Sequence, residues 1–395
     1  MNRALTLRCL LCASLATVLV GCSPSAMADV PPRDARDKKP EAKTEIEPPL
    51  PHHFLPEEKI TTGSVTIGRQ RIDYRAVAGT LVVHPKGWDD VTTRIAVEEK
   101  DSKEDAGKKP KPMTDAEASI FYVAYFKQGA RPESRPITFL FNGGPGSATV
   151  WLHMGAFGPK RVRTPGDQHL PAAPYAVVDN GESLLDASDL VFIDAPGAGF
   201  SRIAGPDKEK AFYGVDPDAY AFASFITAFL GKYGRWNSPK YLFGESYGTT
   251  RAAVLVNELE THRMVDFNGV IMLSQVLNFH LLPDGTEGNP GLDVPYELML
   301  PTFAATAAYH HKLGAGVATD LATLVPEVER FAMTDYSVAL QQGAALPEAD
   351  RARIAARLSA YTGLPVEYIR KANLRVTGGD FEKTLQDGAD QSTGR

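Results

Sequence analysis

Hydrophobic and polar positions alternate from Ser64 onward, with Val65 and Ile67, then Ile72 and Tyr74, at two-residue steps and a further apolar run at 79–83. That two-residue period predicts antiparallel strands turning at Gly68-Arg69-Gln70. Further apolar runs at 120–126, 137–141, 190–193, 241–243 and 269–273 predict more strands. Between the last three the period changes. Phe222, Phe225, Ile226, Phe229, Leu230 and Tyr233 recur at three- and four-residue steps, the stripe of a helix that packs its aromatic face on a sheet. Strands alternating with helical crossovers predict an α/β fold with a mostly parallel sheet. From 284 to 395 the pattern is helical, with amphipathic stretches at 296–313, 321–341 and 347–361. This part is read as a cap over the carboxyl edge of the sheet, where α/β folds bind ligands. The core is assigned to 61–283.

The first 60 residues follow neither period. Arg3 and Arg8 precede an apolar run at 9–20 and then Gly21-Cys22, which reads as a signal peptide too short to span a membrane as a mature helix. Leu19-Val20-Gly21-Cys22 is similar to the lipobox of bacterial lipoproteins, so Cys22 is the expected lipidated residue and the membrane an expected partner. Cleavage after Ala26-Met27-Ala28 would instead release a soluble periplasmic protein. Residues 23–60 hold eight prolines and few large apolar groups, the composition of a tether. His52-His53 within it has no further ligand at metal-binding spacing.

All three cysteines (Cys9, Cys12, Cys22) fall in this leader, so neither a disulfide framework nor a thiolate metal site is expected beyond it. The 395-residue chain carries a formal charge of −6, and loss of residues 1–21 takes it to −8. A negative chain with no basic patch argues against nucleic acid. Residues 97–112 are nearly all charged or helix-breaking and read as a solvated loop.

Two stretches carry candidate chemistry. Lys240–Arg251 (KYLFGESYGTTR) runs a strand into Gly244-Glu245-Ser246-Tyr247-Gly248 and then into a helix-forming segment. G-x-S-x-G in that context presents a serine on a sharp strand-to-helix turn, with the helix amino terminus near a developing oxyanion. Ser246 is the candidate nucleophile. The strand at 137–141 leads into Asn142-Gly143-Gly144-Pro145-Gly146, which lacks either phosphate-loop spacing. It offers backbone N–H groups instead, the expected second half of an oxyanion hole. No cofactor and no metal are called for.

Three blocks together, FLFNGGPGSATVWLHMGAFGP (139–159), SLLDASDLVFIDAPGAGFS (183–201) and YLFGESYGTTRAA (241–253), resemble the serine carboxypeptidase family of α/β-hydrolases. The resemblance spans roughly 120–279. It implies removal of a carboxyl-terminal residue from a peptide by acyl transfer through Ser246, with N–H groups of Gly144 and Tyr247 forming the oxyanion hole. It also implies that Asn142, Gly143 and Glu245 hold the terminal carboxylate. Glu245 can bind another carboxylate only while one of the two is protonated, so activity should fall as pH rises. The chain departs from the family in having Ser147 where a cysteine is usual, and His153 and Met154 where an acidic partner for the elbow glutamate often stands.

A hydrolase of this fold orders its triad as serine, then acid, then histidine. In the resembling family the last two lie beyond the cap, and the chain ends in cap-like sequence, so the acid and base are expected to be missing. The downstream histidines are His262, His280, His310 and His311; His280 with Asp284 is the least implausible pair. Beside an exported carboxypeptidase stand two other readings: an esterase or acyltransferase on the same fold, and a tethered peptide-binding protein without turnover.

Overall fold

The computed structural model describes residues 53–88, 116–165, 172–282 and 289–386. Cys22, the 97–112 loop and Asp284 lie outside these residues. All the described residues belong to one compact unit, 51–395.

Ten strands occur among them: β1 (Glu58–Ile67), β2 (Gln70–Val83), β3 (Glu117–Lys127), β4 (Ile137–Phe141), β5 (Lys160–Val162), β6 (Val177–Asp179), β7 (Asp189–Ile193), β8 (Arg202–Ala204), β9 (Lys240–Glu245) and β10 (Gly269–Leu273). Eight form a mixed sheet in the order β1-β2-β3-β7-β4-β9-β10, with β8 also pairing β3. β1, β2 and β3 run antiparallel, as the alternating pattern predicted, and β7, β4, β9 and β10 are parallel. The first turn is the two-residue Gly68-Arg69, with Ile67 opposite Gln70. β1 begins at Glu58, and the N–H groups of His53 and Phe54 donate to Glu117 Oε2 at 2.8 and 3.2 Å. The start of β1 and these two residues thus lie inside the range read as tether, with the sheet edge and a buried carboxylate taking up backbone donors there.

β4 and β7 are buried at every position, and successive side chains go to opposite faces. Phe139 and Phe141 join Val191, Ile193 and Leu242 in one core layer, under α2 (Val215–Lys232) and α3 (Tyr247–Arg263). The α2 stripe, from Phe222 to Leu230, is fully buried there. α1 (Lys208–Phe212) leads into α2. Leu140, Leu190, Phe192 and Phe243 face the other way, into a second layer with Tyr74, Tyr125 and Leu152. Below the sheet, Asp189 binds two buried arginines, Arg135 at 3.2 Å and Arg235 at 2.5 Å, and accepts from Lys127 N at 2.9 Å.

β10 differs from the other parallel strands. It ends the sheet, and Val270 to Leu273 are 37–43% exposed. Residues 294–386 form α4 (Val294–Tyr309), α5 (Leu321–Phe331), α6 (Ser337–Gln342), α7 (Glu348–Thr362), α8 (Val366–Lys371) and α9 (Gly378–Leu385). They share a core of their own around Phe303, Leu324, Leu358 and Phe381, closed by the Asp293–Arg375 ion pair at 2.7 Å.

Candidate active site

β9 delivers the chain to Ser246, whose backbone takes φ 57°, ψ −125°, a conformation that L-residues rarely adopt. The neighbouring glycines make the bend sterically possible. A Cβ on Gly244 would lie 2.1 Å from Gly248 O, and one on Gly248 would lie 2.9 Å from Phe141 O. The bend is tied down by Ser246 N donating to Leu273 O at 2.9 Å and by Thr249, whose N and Oγ1 both donate to Ser246 O. Ser246 is half-buried, and its hydroxyl has no hydrogen-bond partner among the described residues. It stands at the amino end of the 17-residue helix α3, where the helix field favours negative charge.

The turn after β4 lies against this bend. A Cβ on Gly143 would fall 2.4 Å from Tyr247 N and 2.6 Å from Glu245 O. Gly144 has φ +105°, and Ser147 N donates to Gly143 O at 3.0 Å. The N–H groups of Gly144 and Tyr247 have no protein acceptor among the described residues. Asn142 is buried and links the two segments: its Nδ2 donates to Glu245 Oε2 at 2.9 Å while its Oδ1 accepts from Leu152 N at 3.1 Å. Ser246, Tyr247, Glu245, Asn142, Gly143 and Gly144 are thus gathered at one point, the carboxyl end of β4 and β9.

Beside it a cavity of about 430 Å³ is lined by Pro145, Gly146, Pro196, Tyr213, Val215 and Tyr247, among others. Its walls are mainly apolar, so it suits a side chain rather than a charged group.

None of the downstream histidines is hydrogen-bonded to Ser246 among the described residues. His262 pairs with Glu258 one helical turn away, His280 Nδ1 lies 3.2 Å from Asn289 Oδ1, and His310 meets Gln386 at 3.1 Å. His311 follows α4 with φ +56°.

Three polar groups of the site have no motif in the sequence. Asp194, at the end of β7, accepts from Thr149 N at 2.8 Å and Phe200 N at 2.9 Å, and burial raises its carboxyl above the ordinary range. His153 Nε2 is 2.7 Å from Tyr125 Oη, its ring is stacked on Phe192, and burial pushes its pKa down to about 4. Arg251 is buried and ion-paired with Asp218 at 2.6 Å. Arg251 could have been suspected, since it falls on the same helical stripe as the buried Gly248, Leu255 and Leu259.

A serine carboxypeptidase family profile matches residues 111–278, the stretch that holds both the turn and the elbow. This segment is similar to serine carboxypeptidases. The match covers less than half of the chain and includes the strands β3, β4, β7 and β9 of the mostly parallel sheet. Among solved structures, the chain is similar to the prohormone-processing carboxypeptidase Kex1 of Saccharomyces cerevisiae, with 14% identity and a TM-score of 0.39. That alignment covers 80% of this chain and 55% of the yeast carboxypeptidase, so the chain spans little more than half its length. The rice cell wall degrading esterase LipA of Xanthomonas oryzae aligns at 14% identity and TM-score 0.32, covering 73% of this chain and 70% of the esterase. A putative hydrolase of Agrobacterium vitis aligns at 12% identity and TM-score 0.25, covering 62% and 61%.

Proposed function

We propose that this protein is an exported serine-type carboxypeptidase that releases carboxyl-terminal residues from peptides. The observation that carries the reading is the junction of the 142–146 turn with the elbow, through the Asn142–Glu245 hydrogen bond and the close contact of Gly143 with Tyr247 N. In this reading Ser246 Oγ attacks the last peptide carbonyl and gives its proton to a base. The oxyanion so formed accepts from Gly144 and Tyr247 N–H, and its collapse, with the base passing that proton to the departing amine, breaks the C–N bond and expels the terminal amino acid, leaving an acyl ester that water hydrolyses. Asn142 Nδ2 and Glu245 hold the departing carboxylate, with one proton shared between the two acids. The 430 Å³ cavity takes an apolar substrate side chain. Cys22 would carry a lipid that keeps the enzyme at a membrane facing the periplasm.

A second reading, a peptide-binding protein without turnover, is favoured by the Ser246 hydroxyl having no imidazole partner among the described residues. An unactivated serine is a weak nucleophile at neutral pH. Release of free amino acid from a blocked dipeptide decides between them. The first reading expects release that is abolished in Ser246→Ala. The second expects the peptide to bind and stay intact.

A further inference from the structure

We infer that Arg251 is a positioning residue for the turn 142–146, setting the direction of the N–H groups that would receive the oxyanion. The inference rests on the hydrolase reading of that turn and concerns a side chain that touches no substrate. Arg251 lies on α3 five residues after Ser246 and is 1% exposed. Its Nη1 donates to Asn142 O at 2.7 Å, its Nη2 to Pro145 O at 3.0 Å and its Nε to Asp218 Oδ2 at 2.6 Å. Three directions of a rigid planar fork are therefore spent on three fixed acceptors. Aromatic rings enclose the guanidinium, with its central carbon 4.6 Å from the Phe222 centroid and 5.5 Å from that of Tyr247.

The consequence for the turn follows from peptide planarity. Arg251 holds the carbonyls of Asn142 and Pro145, which flank the Gly143–Gly144 pair, and the carbonyl of the Gly143–Gly144 peptide itself accepts from Ser147 N. In a trans peptide the N–H points opposite to its C=O, so the Gly143 carbonyl, held by Ser147 N, sets where Gly144 N–H is aimed, and Arg251 holds that peptide in place by anchoring the chain on either side of it. The helix that carries Arg251 also begins with Tyr247, the other donor. One side chain thus ties the two halves of the candidate oxyanion hole at a set separation. A lysine could reach one of the two carbonyls as a point charge but could not span both with a flat fork.

The test uses the full chain with Arg251→Met, Arg251→Lys and Asp218→Asn, followed by peptide-resolved hydrogen exchange and by the kinetics of Ser246 phosphonylation with a fluorophosphonate. In Arg251→Met, exchange in 142–152 should quicken at least about tenfold, the scale of one lost hydrogen bond, while β2 and β3 keep their protection. Arg251→Lys should fall between, and Asp218→Asn should leave the turn protected, because both carbonyl bonds survive. Phosphonylation should slow through its maximal rate, with probe affinity unchanged. Unchanged exchange in 142–152, or quickening spread evenly over the sheet, overturns the inference; if Arg251→Met does not fold, the lysine variant decides by the same criterion. If wild-type Ser246 does not react while the exchange result holds, the clamp stands and the hydrolase reading fails.

Discussion

Replacing His153 with glutamine should flatten the loss of stability that the protein suffers in acid. The imidazole lies between Tyr125, whose hydroxyl is 2.7 Å from Nε2, and the ring of Phe192, with centroids 4.6 Å apart. No carboxylate is hydrogen-bonded to it among the described residues, and burial alone pushes its pKa from 6.5 down to about 4. Burial also raises the tyrosine, so the phenol stays protonated and shares a hydrogen bond with the neutral ring. The unfolded chain therefore binds a proton near pH 6.5 that the folded chain refuses until about pH 4. Stability contributed by the neutral histidine is complete above the upper value and is lost as pH falls through the window between them. The full gap corresponds to about 3 kcal/mol, of which about 2 should be gone by about pH 4.5. Glutamine can accept from Tyr125 through its amide oxygen and does not titrate. Urea unfolding of both proteins at pH 7 and pH 4.5 gives four free energies. The variant should gain about 2 kcal/mol on the wild type between the two pH values, whatever its packing costs at neutral pH. An identical gap at both pH values would refute the reasoning.

Gly143→Ala should cost about 1–3 kcal/mol in a denaturant melt, since its methyl would lie 2.4 Å from Tyr247 N, whereas Gly146→Ala, with open space around the new methyl, should stay within about 0.5. Asp189→Ala leaves Arg135 and Arg235 buried without their carboxylate and should cost about 3–5 kcal/mol by the same assay. Glu245→Ala should lower kcat/KM for a peptide with a free terminal carboxylate by about 10- to 100-fold, the worth of a hydrogen bond to a charged group, and leave a neutral ester nearly unaffected; equal losses on both substrates would remove the carboxylate grip from the account.

Much of the site could be read from residue types because steric necessity chose them. Gly244, Gly248 and Gly143 stand where another backbone passes within 3 Å of a would-be Cβ, and that need is legible as G-x-S-x-G and the glycine-rich turn. β4, β7 and the α2 stripe were equally legible, since burial on both faces demands an unbroken apolar run. Gly79 lies within β2, which runs unbroken from Gln70 to Val83, and Glu57 O passes 2.6 Å from where its Cβ would be. β10 reads as a buried strand from its composition alone, but exposure depends on what lies beside it, which composition does not record. The burial of Arg251 and His153 was harder to read for a related reason. A charged residue in a helix and a histidine after a loop look solvated until tertiary contacts from β4, α2 and β3 close around them.

The central claim, that the bend at 246 presents a nucleophilic hydroxyl beside N–H donors of the 142–146 turn, is tested most directly by mass-spectrometric mapping of the intact protein after exposure to a fluorophosphonate. The account predicts one adduct, on Ser246, that is absent from Ser246→Ala and strongly reduced when the Gly144 N–H is misdirected in Arg251→Met. Failure of folded wild-type protein to react, or reaction at another serine with Ser246 unmodified, would contradict it.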